Sequence, residues 1–133
     1  MNKKILSLII IVPALMRVAG AIAVKPDLED LMKANGKAYS AIDKGIAKGR
    51  FDGLADQAQG IFDKAVLISH EYEPPIHQEK REKFRALAAQ LAQDAQRLKA
   101  ALPKANPIES KKLLKTMEKT CISCHQTFVP KKK

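Results

Sequence analysis

Tryptophan is missing from this 133-residue chain, and its rings are confined to two tyrosines and four phenylalanines. So few aromatics, with Ala, Leu and Lys abundant, exclude a typical sandwich or barrel and point to packed helices. A bundle this poor in rings also leaves room for a flat ligand. Strand-like alternation and internal repeats are absent, and the one long apolar run, Ile5 to Met16, falls short of a membrane span. A transmembrane helix needs about 20 apolar residues, whereas this run is interrupted by Pro13 and ended by Arg17. Cysteine is nearly absent too, with only Cys121 and Cys124.

What the N-terminus does contain is a basic start, Asn2-Lys3-Lys4, followed by that apolar run and by Ala21-Ile22-Ala23. This is the pattern of a secretory signal with an A-x-A cleavage site. Residues 1–23 are therefore expected to be a signal peptide, and residues 24–133 a single exported domain with no permanent membrane span. No Cys lies near the junction, which argues against lipid attachment. Of the formal charge of +10, Lys3, Lys4 and Arg17 contribute three, leaving +7 on the mature chain. Such a balance favours acidic partners or an anionic membrane surface. Export and the lack of basic residues interleaved with aromatics disfavour nucleic acid.

Gly and Pro divide the mature chain into four helical segments. The first opens near Pro26 and carries Leu28, Leu31, Met32, Ala38, Tyr39, Ile42 and Ile46 at helical spacing until Gly49. The second, with Asp52 as expected N-cap, runs through Leu54, Ala58, Ile61, Phe62 and Ala65 to stop near Tyr72, before Pro74-Pro75. A third begins near His77, carries Phe84, Leu87, Leu91, Ala95 and Leu98, and closes at Pro103. In the fourth, Asn106 caps, Pro107 suits the first turn, and Leu113, Leu114, Met117, Cys121, Cys124 and Phe128 recur before Pro130. Short connections favour antiparallel neighbours, so the expected fold is all-α, an up-down-up-down four-helix bundle.

Both cysteines fall in Cys121-Ile122-Ser123-Cys124-His125, a C-x-x-C-H pattern for attaching c-type haem. In an oxidising compartment two thiols either pair or are consumed by other bonds, and thioethers to the haem vinyl groups are such bonds. On a helix, about 100° per residue puts Cys121, Cys124 and His125 within an arc of roughly 100°, so all three can meet one planar ligand. His125 is then the proximal iron ligand, its second ring nitrogen left to donate a hydrogen bond. Competing readings are a thiol redox site, half of a zinc site and a chance motif. Structural zinc takes four ligands, and only His70 and His77 remain as donors, with no paired spacing. Thioredoxin-like chemistry expects a βαβ context, which this chain lacks.

The mature chain has two methionines that bear on the other face of the iron. Met117 is one turn before Cys121 on the same helix, hence proximal, and reads as core packing. Met32, on the apolar face of the first helix, can approach from the opposite side, although a Met on such a stripe is more often core than ligand.

With its C-terminal C-x-x-C-H, the chain resembles the cytochrome c′ family, class II of the c-type cytochromes, itself a known up-down-up-down bundle. The stretch Leu31-Met32-Lys33-Ala34-Asn35-Gly36-Lys37, continuing to Ala47-Lys48-Gly49, is similar to the low-spin branch, in which a first-helix Met is the sixth ligand. That resemblance implies Met32 as distal axial ligand beside His125. Leu28 stands where the gas-binding branch commonly has a pocket Arg, and Val129 where a basic residue is usual. The implied protein is a periplasmic one-electron carrier with one covalent haem c, meeting redox partners with acidic docking surfaces, and a homodimer is open. A filled pair of axial sites suits electron transfer, and a thioether donor raises the potential. No nucleophile constellation, phosphate loop or carboxylate pair requires an enzyme. Two alternatives stand beside this reading: a five-coordinate gas-binding haem protein in which Met32 only packs, and a haem-free helical module with a Cys121–Cys124 disulfide. His70 and His77 read as exposed helix-end histidines, and Tyr39 and Phe62 as core or haem contacts.

Overall fold

Asp27 begins the first helix by accepting a hydrogen bond from the amide of Glu29, 3.1 Å away, in a computed structural model that describes residues 24–133. The expected signal segment, residues 1–23, lies outside the described residues. From that cap α1 runs Leu28–Ala47, followed by α2 Leu54–Glu71, α3 Arg81–Ala101 and α4 Pro107–Phe128, with no strand among the described residues. The chain is an all-α four-helix bundle.

Each boundary has a local cause. α1 ends in a Schellman arrangement: Gly49 takes a φ of 65°, its amide bonds the Ile46 carbonyl, and the Arg50 amide reaches back to Gly45 at 2.8 Å. A side chain is disfavoured in this left-handed conformation, so Gly is the natural stop. α2 departs from expectation at its start. Gly53, with φ 74°, occupies the cap position without any side-chain bond, and Asp52 stays in the preceding turn. The α2 end at Glu71, with Tyr72 as an extended cap, agrees with the Pro74-Pro75 stop. α3 starts later than the sequence suggests, because His77 adopts a left-handed conformation and a 3₁₀ turn over Gln78–Lys80 intervenes. A second 3₁₀ turn, Leu102–Lys104, contains Pro103 and closes α3. Asn106 caps α4 through bonds from the amides of Ile108 (3.0 Å) and Glu109 (3.1 Å), and Pro107 occupies the opening turn, where its missing N–H costs nothing.

Sequential helices pack on one another, and α4 returns to α1 along the thinnest seam of the bundle. An ion pair between Lys111 of α4 and Asp43 of α1 ties one side of that seam. The apolar interior divides into two clusters. One lies toward the α1–α2 and α3–α4 turns, with Ile42, Ala58, Ala65, Ala95, Leu98 and Leu114 all fully shielded. The other gathers Leu31, Ile68, Tyr72, Phe84, Cys124 and Phe128 at the opposite end. There the rings of Phe84 and Phe128 meet edge to face, with centroids 5.2 Å apart and an 81° interplanar angle, a favoured aromatic geometry.

Candidate cofactor site

A cavity of about 180 Å³ opens along the α1–α4 seam where the two clusters meet. α4 contributes Cys121, Cys124 and His125 to its wall, and α1 contributes Met32, Asn35, Gly36 and Tyr39. Leu87, Ala88 and Leu91 of α3 and Ile61 and Ile68 of α2 make most of the surface apolar, and Met117, Glu118 and Thr120 of α4 complete it. Helical spacing accounts for both polar walls. Positions 32, 35, 36 and 39 recur every three or four residues on α1, and 121, 124 and 125 do so on α4.

Cys124 is buried, Cys121 half-buried and His125 exposed, so the three residues grade from the interior to the mouth. Burial pushes the Cys121 thiol up to about 11, with the neighbouring Cys124 and Asp94 adding in the same direction, and burial also raises Cys124. Both thiols are therefore poor nucleophiles in the folded chain, since the thiolate is the reactive form. Burial, followed by the charges of Glu118 and Asp43, raises the Tyr39 hydroxyl. Met32 is half-buried and packs against the Phe84–Phe128 cluster as well as lining the cavity. Met117 is fully buried in the other cluster and touches the cavity floor from α4, as expected of a packing residue.

The other candidates separate clearly. Tyr39 lines the cavity, whereas Phe62 packs against the alanine-rich cluster and does not. His70 and His77 are exposed, and His77 pairs with Glu79 at 3.3 Å. Among the described residues no group of three or more His, Cys, Asp or Glu side chains is gathered to hold a free metal ion.

Two polar residues of the site escaped the sequence reading. Asn35 is 8% exposed and neither end of its carboxamide has a hydrogen-bond partner. A buried amide left so costs about 1–3 kcal/mol per unpaired group. Asp94 of α3, 2% exposed, accepts from Gln90 Nε2 at 3.0 Å and from Thr120 Oγ1 at 2.7 Å. Both were detectable as polar intrusions into apolar stripes: Asn35 between Leu31 and Ala38, Asp94 between Leu91 and Leu98. Gly36 completes the cavity wall, and a Cβ placed there would meet nothing within 4 Å. An open, apolar slot with one unpaired polar side chain fits a flat, largely apolar group that carries a few polar substituents.

A family model described as Cytochrome C' matches residues 27–129, and the chain belongs to that family. No curated protein and no solved structure matches it. Membership makes the cofactor covalently bound haem c with iron, and the general role that of an electron carrier or gas binder. The cavity, with its cysteine pair and adjacent histidine, is of the right chemistry for that group, and nothing favours a haem-free module. No helix among the described residues is long and apolar enough to cross a membrane.

Proposed function

From that membership we propose that the chain is an exported one-electron carrier whose haem is joined by thioethers to Cys121 and Cys124, with the iron held between His125 and Met32. The observation that carries the reading is the cavity itself: Met32 of α1 and the Cys121, Cys124 and His125 of α4 share one wall-to-wall space across the seam. Haem c supplies, when bound, the one-electron couple. The chain's own side chains do the rest. Cys121 and Cys124 anchor, one turn apart on a rigid helix. His125 offers a neutral ring nitrogen and, being exposed, leaves its other N–H free to meet an acceptor that orients it. The Met32 thioether favours the reduced metal and raises the potential. Leu87, Ala88, Leu91 and Ile68 keep water from the site.

Leu28, where the gas-binding branch commonly has a pocket Arg, packs its apolar side chain against the Phe84–Phe128 cluster. It brings no hydrogen-bond donor toward a bound gas, which supports the carrier role. No general acid, base or nucleophile is needed, and the protein acts as a carrier without catalysing a reaction. Residues 1–23 direct export to the periplasm and residues 24–133 form the mature domain, in keeping with a family whose members are typically exported. The net +7 on those residues favours redox partners with acidic docking surfaces.

Mass spectrometry of the tryptic peptide carrying Cys121 and Cys124, taken from exported protein, tests the attachment: the peptide is expected to carry the added mass of one haem. Absorption spectra then test the axial pair. The ferrous protein is expected to be low-spin and to react slowly with carbon monoxide, and Met32→Ala to make that reaction immediate. Immediate, complete conversion of the unaltered protein at neutral pH would make it a five-coordinate gas binder.

A further inference from the structure

Asp94 is the one acidic side chain in the buried interior of the described bundle, and among the described residues no Lys, Arg or His forms an ion pair with it. Its carboxylate is held from two directions: one oxygen takes the Gln90 amide from the preceding turn of α3, the other takes the Thr120 hydroxyl from α4. Thr120 adjoins Cys121 and itself lines the cavity. Two neutral hydrogen bonds orient this carboxylate but do not cancel its charge. A buried carboxylate without a counter-ion is an expensive way to join two helices, since taking a charge out of water is costly. An uncharged pair would clamp α3 to α4 as well.

We propose that Asp94 is a positioning residue for the redox cofactor, a fixed negative charge beside Cys121 that stabilises the oxidised form and lowers the reduction potential. The inference rests on attachment of the haem at Cys121 and Cys124. Ferric and ferrous haem differ by one positive charge, and a carboxylate in a poorly screened interior favours the state that carries it. Its field already reaches the anchor position, because Asp94 is among the causes that raise the Cys121 thiol. Asp94 therefore opposes the Met32 thioether, which pulls the potential upward, and the resting poise is the balance of a ligand on α1 and a charge on α3.

The test compares three variants of the holoprotein, each first shown by peptide mass to carry its haem. Asp94→Asn removes the charge but keeps the shape, and Gln90 can rotate its amide to accept from the new N–H. Thr120→Val removes the clamp but keeps the charge, and Asp94→Glu restores a carboxylate at slightly different reach. Midpoint potentials are measured by spectroelectrochemical titration, and stabilities by urea denaturation. Asp94→Asn is expected to raise the equilibrium constant for reduction by about tenfold, equivalent to about 59 mV for one electron. Thr120→Val should lower stability with a much smaller change in potential, and Asp94→Glu should lie close to the parent potential. If Asp94→Asn shifts the potential no more than Thr120→Val does, Asp94 is a helix clamp only and the proposal is overturned. A parent protein whose Cys121–Cys124 peptide has no added mass overturns the attachment, and this inference with it.

Discussion

The two ends of the bundle solve opposite problems. Toward the α1–α2 and α3–α4 turns, Ala58, Ala65 and Ala95 let the helices approach closely while Ile42, Leu98 and Leu114 fill the space between them, all six fully shielded from solvent. At the other end, Phe84, Phe128 and Tyr72 pack with Ile68, Ala88 and Cys124, which line a slot along the α1–α4 seam, and Asn35 faces that slot without a partner. The first end is stabilised by the chain alone. On the proposed reading, the second is a socket whose packing and hydrogen bonding are completed by the haem.

Removing the cofactor should break the symmetry between the ends most strongly. In a Cys121→Ser, Cys124→Ser double variant, amide exchange at 31–36 and 124–128 is expected to accelerate by more than about 100-fold, while amides near Ile42 and Ala95 change by less than about tenfold. Equal acceleration at both ends would mean that the socket is no weaker than the rest. Core truncation sharpens the contrast. In the loaded protein Ile42→Ala should cost about 2–5 kcal/mol and Phe84→Ala about 3–5 kcal/mol by urea denaturation. In the haem-free chain the Ile42 penalty should persist and the Phe84 penalty should shrink, because Ile68, Ala88 and Cys124, which share its cluster, line the emptied cavity and pack less firmly.

Much of this division could be read from the sequence, and what could not has identifiable causes. The helix stops at Gly49, Pro74-Pro75 and Pro103 and the Asn106 cap depend on local backbone chemistry, and they fall where the residues indicate. The start of α2 was less legible, because Asp52 and Gly53 are both good boundary residues and only the left-handed turn decides between them. His77 shows the same limit: no local signal announces a left-handed histidine ahead of a 3₁₀ turn. At the site, C-x-x-C-H is a contiguous motif and was visible at once. Asn35 and Asp94 matter through partners they lack or find on another helix, which spacing along one helix does not reveal.

Two glycines of α1 offer a finer probe, one for each end. A Cβ at Gly45 would lie 2.7 Å from Leu54 Cδ2 and 2.8 Å from the Arg50 carbonyl oxygen, so Gly45→Ala must push against backbone. It is expected to destabilise the chain by about 1–3 kcal/mol. Gly36→Ala meets nothing and, in the haem-free chain, should gain up to about 1 kcal/mol from better helix propensity. In the loaded protein that gain is expected to vanish, because the added methyl narrows the slot. Thermal denaturation of the four forms measures all of this.

The smallest expected effect is in pH. The Cys121 thiol has an ordinary value of 9.0 and is raised to about 11 by burial in the folded chain. Its stabilising contribution to the haem-free fold is complete below about pH 9 and is lost as pH rises through 11, since the unfolded chain gives up the proton first. Urea midpoints should therefore fall across that window in the haem-free protein and fall less in Cys121→Ser. With haem attached at Cys121 as proposed, the sulfur carries no proton and this component should be absent.

The seam between α1 and α4 also orders events in time. Synthesis delivers the helix bearing Met32 before the one bearing Cys121, Cys124 and His125, so the last wall of the cavity arrives with the fourth helix. A nascent or truncated polypeptide that lacks α4 has three helices to pack and, on the proposed attachment, nowhere to seat a pigment, so colour in this protein becomes a signature that the fourth helix has been made and docked.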